Sequence, residues 1–264
     1  AGASHEDIIE KIDIGGISLI RAAAKNYNDV VIISSVNQYA NLLDLLNSQK
    51  AQTTLIQRQA FAAEAFHVSS HYDTKIHQYF MNQQSSYLKI SEEKQSTLRY
   101  GENPHQLSAI YSKNNSMKII QIHGKQLSYN NYNDIFSALT ISKSLPKNMG
   151  TVIVKHANPC GVSINKDHLV SYKSALACDP ISAFGGIVSC NFKIGKRLAS
   201  ELNKLFLEVI VANGFDNDAL KLLKKKKNLR LIDATKFRIE DLVRISSANE
   251  AILTQSEDIK KFNY

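Results

Sequence analysis

Apolar and polar positions in the first third of the chain predict both helix and strand. Residues 30–34 are a run of mainly β-branched side chains bounded by polar residues, which is typical of a buried strand. Stretches rich in helix formers lie on both sides of this run, and Ser18 is a candidate N-cap for the first of them. We therefore predict β–α alternation followed by a helical layer. The predicted helices cover residues 18–26, 37–47, 54–66 and 72–81.

A polar, weakly periodic stretch at residues 82–96 predicts a domain boundary near residue 92. Beyond it, short apolar runs alternate with helical patterns, which favours an α/β fold with a largely parallel or mixed sheet. The predicted strands cover residues 109–111, 118–122, 151–155 and 186–190, and the predicted helices cover 132–143, 169–178 and 196–207.

Composition narrows the class of protein. The 264 residues are 44% hydrophobic and 21% charged, which is ordinary for a soluble globular protein. Since the apolar runs are too short to span a bilayer and no secretory signal is recognisable, we expect a cytoplasmic protein that does not span a membrane. The three cysteines have no C-x-x-C spacing. His156 and Cys160 are four residues apart, but no second pair follows, so we expect no disulfide framework and no metal.

The formal charge of +8 favours an anionic partner, which could be nucleic acid, a membrane surface or a phosphorylated metabolite. The basic run at residues 224–227 is interpreted as a solvated helix end. No RRM, KH or zinc-finger signature is present. A basic module that binds RNA or nucleotides without catalysis therefore remains the alternative to an enzyme.

The first candidate stretch is Asp13-Ile-Gly-Gly, followed by Arg21 and Lys25. Its glycines permit a tight turn and a close approach of the backbone to a ligand, and the next helix offers N–H donors to an anion. A plain turn explains the same residues. The pattern is not the G-x-G-x-x-G dinucleotide fingerprint.

The second stretch is LRYGENPHQ at residues 98–106. It brings Arg99, Tyr100, Asn103 and His105 into one short loop. A guanidinium next to an aromatic ring suits a flat heterocycle or a phosphate. An ordinary surface loop is the alternative.

The third stretch, VIVKHANPCG at residues 152–161, is an apolar strand that runs into Lys155 and His156. In α/β sheets, catalytic groups are often presented at the carboxyl ends of strands. A histidine can accept a proton near neutral pH, and a lysine can stabilise an oxyanion. Because neighbouring strand residues point to opposite faces, both can serve one site only if the strand ends at them. Solvent-facing polar residues at a strand end are the alternative.

The fourth stretch, CDPISAFGG at residues 178–186, is a Gly-Gly loop that leads into a strand. Three of the four prolines of the chain lie in the second, third and fourth stretches. This placement suggests rigid loops shaped around a site, although stopping a helix is an equal use of proline.

These stretches resemble a family of bifunctional purine biosynthesis enzymes that join an IMP cyclohydrolase domain to an AICAR formyltransferase domain. Six strings carry the resemblance, in the order of the family, between residues 13 and 215. They are DIGGISLIRAAAKN, LRYGENPHQ, GKQLSYNN, VKHANPCGV, DPISAFGGIV and EVIVANGF. The appearance of LRYGENPHQ, VKHANPCGV and SAFGG together is not explained by an RNA-binding module, so we expect no nucleic-acid partner.

The resemblance implies a role for particular residues. Lys155 is similar to the lysine that stabilises the transition state, His156 to the proton acceptor, and Lys25 to the cyclohydrolase lysine. The remaining positions correspond to contacts with the inosinate product or with the ribotide: Asp13, Ile14, Arg99, Tyr100, Asn130, Gly185 and Glu208. Glu208 departs from family members that carry a different acid at this position.

The resemblance also implies an architecture. Residues 1–92 would be the C-terminal part of a methylglyoxal-synthase-like parallel-sheet domain. Residues 93–264 would be the first part of a cytidine-deaminase-like α/β transformylase domain. The implied ligands are AICAR, FAICAR and IMP, with 10-formyltetrahydrofolate as co-substrate and a homodimer as the assembly. Since family members extend beyond both ends of this sequence, we expect the isolated chain to be inactive. A pseudoenzyme fragment that only binds ribotide is a further possibility.

Overall fold

The computed structural model describes residues 2–81, 86–112, 117–240 and 243–259. These residues belong to two compact units, Ala1–Ser91 and Glu92–Tyr264. Within the described ranges, no helix combines the length and apolar character needed to cross a lipid bilayer.

Among the described residues of the first unit, all regular secondary structure is helical. Its elements are α1 (His5–Glu10), α2 (Gly15–Lys25), a 3-10 turn (Val36–Gln38), α3 (Tyr39–Ser48) and α4 (Leu55–Met81). Buried alanines at positions 24, 62 and 65 form the centre of its core. Side chains this small let α2 and α4 approach closely.

Three predictions for this unit were wrong. Residues 30–34 are not in a strand, because a β-branched run needs a partner strand and the described part of this unit contains none. The predicted helices 54–66 and 72–81 are one helix, α4, since no proline or glycine interrupts residues 67–71. Ser18 is not a cap: α2 begins at Gly15, and the Asp13 carboxylate accepts the N–H groups of Gly16 and Ile17 at 3.3 and 2.7 Å.

The second unit contains a six-stranded mixed sheet with the order β3-β8-β7-β6-β4-β5. Strands β6, β7 and β8 are parallel to one another, whereas β3, β4 and β5 pair antiparallel with their neighbours. The α/β class and the mixed sheet are therefore confirmed. The strands in the described part of this unit are β1 (Lys94–Leu98), β2 (Ser108–Tyr111), β3 (Ile120–His123), β4 (Gly150–Lys155), β5 (Asn158–Ile164), β6 (Ile187–Cys190), β7 (Val209–Ala212), β8 (Arg230–Asp233), β9 (Val243–Ala248) and β10 (Ala251–Ser256).

Helices cover both faces of this sheet. They are α5 (Tyr129–Ser144), α6 (His168–Cys178), α7 (Lys196–Leu202) and α8 (Asn217–Leu223). Val152 and Val154 of β4 point into the core beneath α5, and Ile153 points into the opposite core beneath α6 to α8. This alternation is the period of two that a strand buried on both faces requires. The basic run at 224–227 follows α8, as predicted.

The antiparallel pairing of β4 decides at which edge of the sheet the carboxyl end of β4 lies. Val154 pairs with Ile187, Ile187 with Val209, and Val209 with Arg230. The carboxyl end of β4 therefore lies beside the amino ends of β6, β7 and β8. Lys155 ends β4 and His156 follows it, so both lie at the carboxyl end of their own strand, but because β4 is antiparallel to β6 this end lies at the amino ends of the parallel strands.

Candidate functional site

His156 lies in a two-residue turn that joins β4 to β5. Lys155 pairs with Asn158 across the hairpin, and the turn residues His156 and Ala157 have φ values of 53° and 60°. Two left-handed residues in succession are the signature of a type I′ turn, which normally uses Asn-Gly. Each left-handed residue that is not glycine costs about 1–2 kcal/mol. This turn, which contains no glycine, is strained.

The strained turn is bonded to α5 through both polar groups of Ala157. Its N–H donates to Oδ1 of Asp134 at 2.7 Å, and its carbonyl accepts the Ser137 hydroxyl at 2.7 Å. Burial raises the pKa of Asp134, while hydrogen bonds from the Ala157 and His156 backbones oppose the rise. The His156 side chain itself is exposed. Hydrogen bonds therefore fix the backbone of the turn, whereas the imidazole of His156 is exposed to solvent.

Lys155 is the last residue of β4, so the requirement that the strand end at this pair is met. Its ammonium donates to the carbonyl of Phe184 at 2.9 Å. The next residue, Gly185, has a φ of 74°, which favours glycine, and its N–H donates to the Phe206 carbonyl at 2.9 Å. The Gly-Gly loop of the fourth stretch thus lies within hydrogen-bonding distance of Lys155.

Glu208 immediately precedes β7 at the same edge of the sheet. Its carboxylate accepts Nδ2 of the buried Asn131 at 2.9 Å and lies 3.5 Å from Nη1 of Arg230. The Arg230 side chain is only 11% exposed, and its Nε has no hydrogen-bond partner within the described structure. The carboxylate is consequently oriented by an amide and a guanidinium while 44% of its side chain stays accessible.

Arg99 and Tyr100 begin the loop between β1 and β2. The guanidinium lies 4.7 Å above the Tyr100 ring and donates to its hydroxyl at 2.9 Å. The loop closes on itself where the Gly101 N–H donates to the Gln106 carbonyl at 2.8 Å. Asn130, in the first turn of α5, donates to the Glu102 carbonyl at 3.2 Å. The first turns of α5 therefore contact this loop, the His156 turn and Glu208.

The predicted cyclohydrolase residues lie in the first unit and are separated along α2. Asp13 and the 72% exposed Ile14 precede the helix, whereas Lys25 is its last residue. Ten helical residue steps separate Gly15 from Lys25, which is about 15 Å. The Asp13 carboxylate also occupies two of the N–H groups that were expected to bind an anion. Within this unit, Asp13 and Lys25 do not meet.

A cavity of about 810 Å³ borders Ala157 and Ser137. This volume is within the range of small-molecule sites. Six charged side chains of both signs contribute to its wall: Lys118, Arg238, Arg244, Glu92, Glu240 and Glu257. The turn that carries His156 therefore adjoins space large enough for a ligand. Within the described ranges, no group of three His, Cys, Asp or Glu residues could hold a metal ion.

Four residues that contact Glu208 or the His156 turn were not predicted from the sequence: Asn131, Asp134, Ser137 and Arg230. One signal was present, since α5 opens with four polar side chains within residues 130–134, all of them poor helix formers. Such residues in the first turns of a helix indicate side chains with tertiary partners. For Arg230 the sequence carried no signal.

The second unit thus provides an exposed imidazole next to a lysine, an oriented carboxylate and an arginine–tyrosine pair, which are groups that can move protons and bind anions. Residues 23–264 match the AICARFT/IMPCHase bienzyme family. The chain belongs to this family.

Curated relatives give the same result. The chain is 46% identical over 259 residues to the bifunctional purine biosynthesis protein PurH of Bacteroides thetaiotaomicron, a match that covers 98% of the chain and 50% of that protein. It is 37% identical over 281 residues to PurH of Clostridioides difficile, covering 99% and 55%. PurH of Clostridium kluyveri is 39% identical over 262 residues, covering 97% and 52%. The chain thus spans about half the length of these relatives.

Proposed function

We propose that this chain contributes to the last two steps of purine-nucleotide synthesis. In the first, a formyl group passes from 10-formyltetrahydrofolate to AICAR, which gives FAICAR. In the second, FAICAR closes to IMP with loss of water. The observation that carries the proposal is the common edge of the sheet at which His156, Lys155, Gly185 and Glu208 lie, with the Arg99–Tyr100 loop bonded to the same helix.

Formyl transfer requires a base because the amine of AICAR is conjugated with its carboxamide. As the amine nitrogen attacks the formyl carbon, the imidazole of His156 takes the amine proton. The bond from the formyl carbon to N10 of the folate then breaks, and N10 recovers a proton. The exposed imidazole of His156 is suited to this task, and the ammonium of Lys155 offsets charge on the formyl oxygen.

Arg99, Tyr100, Asn130, Gly185 and Glu208 are proposed to hold the ribotide. A guanidinium on a tyrosine ring gives a flat cation for a heterocycle or phosphate. The Glu208 carboxylate is accessible and oriented, as a group that accepts hydrogen bonds from hydroxyls should be.

Ring closure needs no cofactor, and positioning should supply much of its rate. The carboxamide nitrogen attacks the formamide carbon, and the oxygen departs as water. Asp13, Ile14 and Lys25 are the proposed contributors from this chain. Because Asp13 and Lys25 lie at opposite ends of α2, they supply two separated parts of a site. We therefore expect the isolated chain to close no FAICAR, and detectable IMP formation would contradict this expectation.

We also propose that the first unit is the end of the cyclohydrolase domain, that the second begins the transformylase domain, and that the assembled enzyme is a homodimer. Light scattering of the chain at micromolar concentration tests the assembly. A mass near 59 kDa, twice the 29.5 kDa of the chain, is expected for a dimer. A clean monomer would mean that the interface does not form in this chain.

Transfer is best tested in a chimera in which these 264 residues replace the matching half of the Bacteroides thetaiotaomicron relative. We expect His156→Ala to lower formyl transfer by about 100- to 10,000-fold while AICAR still binds. His168→Gln is the matched control, because His168 bonds the Asn148 carbonyl at the opposite edge of the sheet. Retained turnover in His156→Ala would refute the role of the base. AICAR binding without turnover in the unsubstituted chimera would favour a pseudoenzyme.

A further inference from the structure

The turn that carries His156 adopts a conformation that its own sequence does not favour. Both turn residues are left-handed, and neither is glycine or asparagine, the residues that enter this region readily. Such strain persists only where surrounding structure enforces it. The cause must therefore be sought in the groups that touch the turn.

Two side chains of α5 supply the restraint. Asp134 and Ser137 are one helical turn apart, so they lie on one face of the helix. Asp134 accepts the N–H of Ala157, and Ser137 donates to its carbonyl, each at 2.7 Å. Ala157 is thus fixed on both sides, and the peptide that joins it to His156 is fixed with it.

The groups around the Asp134 carboxyl act on its pKa in both directions. Burial raises the pKa and Glu208 adds to the rise, whereas hydrogen bonds from the Ala157 and His156 backbones and the His156 side chain oppose it. A carboxyl oxygen can accept an N–H hydrogen bond in either protonation state, and accepts it more strongly when the group is ionised. The restraint therefore rests on the geometry of the 2.7 Å hydrogen bond to the turn.

We propose that Asp134 is a positioning residue which, through the backbone of Ala157, sets the direction in which His156 presents its imidazole. Its effect on formyl transfer depends on the function proposed above, whereas its effect on the turn does not. Ser137 assists from the carbonyl side. Because misplacement of a reacting group by about 1 Å can cost 100-fold in rate, a loosened turn should be visible in kcat.

The catalytic consequence is tested in the chimera described above. Asp134→Ala should lower kcat for formyl transfer by about 10- to 100-fold and leave KM for AICAR within about twofold. Asp134→Asn keeps an acceptor oxygen and should retain most of the rate. In Asp134→Ala/Ala157→Gly, glycine adopts the left-handed conformation freely, so part of the lost rate should return.

Asp216→Ala is the matched control for lost stability. Asp216 caps α8 by accepting the Ala219 N–H at 2.6 Å, so this variant also removes a carboxylate–backbone bond. It should lower stability and leave kcat unchanged. An equal fall of kcat in Asp134→Ala and Asp216→Ala, or a loss expressed in KM alone, would overturn the positioning role.

A structural measurement separates this inference from the proposed function. Hydrogen exchange of the Ala157 amide, followed by NMR in the 264-residue chain, should become at least tenfold faster in Asp134→Ala and not in Asp216→Ala. An unchanged exchange rate would overturn the inference whatever the activity. Faster exchange with unchanged kcat, in a chimera that His156→Ala inactivates, would also overturn it and leave the function standing. Turnover in His156→Ala would refute the function, and the exchange result would still decide whether Asp134 holds the turn.

Discussion

Replacing Ala157 by glycine should have the opposite effect from most alanine-to-glycine substitutions. At a φ of 60°, alanine bears a left-handed penalty of about 1–2 kcal/mol that glycine does not. Glycine has greater freedom in the unfolded chain, which costs about 0.4–1 kcal/mol. Loss of a half-buried methyl group costs about 0.4 kcal/mol more. Subtracting both costs leaves a net change in the free energy of unfolding that is centred on a gain of roughly 0.4 kcal/mol and has an upper limit of roughly 1.2 kcal/mol.

A paired control isolates the backbone effect. Ala177 is exposed in α6 of the same unit, where glycine should cost about 0.5–1 kcal/mol. Both variants gain the same conformational freedom of glycine in the unfolded chain. Their free energies of unfolding should therefore differ by about 1 kcal/mol, which corresponds to roughly 2–4 °C in Tm for a unit of this size. Scanning calorimetry of both variants measures this difference. If Ala157→Gly melts at or below Ala177→Gly, the turn does not store the strain inferred from its dihedral angles.

Three further perturbations follow from contacts and charges in the second unit. Gly161→Ala should destabilise by at least about 2 kcal/mol in urea denaturation, because a Cβ there would lie 1.9 Å from the Ala175 carbonyl oxygen. Burial lowers the pKa of Lys143 to about 8 from its ordinary 10.5, so folding favours the neutral amine. Lys143 should therefore contribute a rise in stability between about pH 8 and 10.5, which the buried Cys190 thiol opposes above about pH 9 because burial raises its pKa from 9.0 to about 12. Lys143→Met should remove this contribution, so the stability of the unsubstituted chain should increase relative to that of Lys143→Met over this range. Hydrogen bonds from the Val170 and Leu169 N–H groups lower the pKa of Asp167 below 3.8. The contribution of Asp167 to stability is present above pH 3.8 and is lost as the pH falls through its lower pKa in the folded state. Asp167→Asn should therefore make the acid limb of the stability–pH profile, the fall in stability at low pH, less steep.

Each of these has a control in the same protein. A Cβ on Gly15 would meet nothing within 4 Å, so Gly15→Ala should not destabilise. Lys147→Met removes an exposed lysine and should leave the contribution of Lys143 in place. Asp218→Asn removes an exposed carboxylate whose 3.8 Å ion pair with Lys196 is solvated, and the acid limb should keep its slope. The opposite result in any control would point to a general effect of substitution.

Local patterns predicted much of the second unit. The apolar run at 151–155 and the helical pattern at 169–178 nearly coincide with β4 and α6, because each element buries side chains at its own period. How the strands pair was harder to predict from the sequence. The prolines suggested rigid loops, yet Pro159 lies in β5, an edge strand where a missing N–H is tolerated. In the same strand, α6 approaches too closely for any side chain at Gly161. Residues 30–34 show the reverse error, since this β-branched run has no partner strand among the described residues of its unit and therefore forms no sheet there.

The same distinction between local pattern and tertiary structure applies to the candidate site. The types and order of its residues, such as Lys155 followed by His156 at the end of an apolar strand, were determined by the sequence itself, because reactive side chains interrupt the pattern that burial requires. Only the tertiary structure decided at which edge of the sheet that strand ends, since its antiparallel pairing places His156 at the edge formed by the amino ends of β6 and β7, where Glu208 also lies. It also decided that Asp134, 23 residues away along the chain, holds the turn. A hydrogen bond between distant residues depends on how the strands and helices pack, which no local pattern of residues specifies.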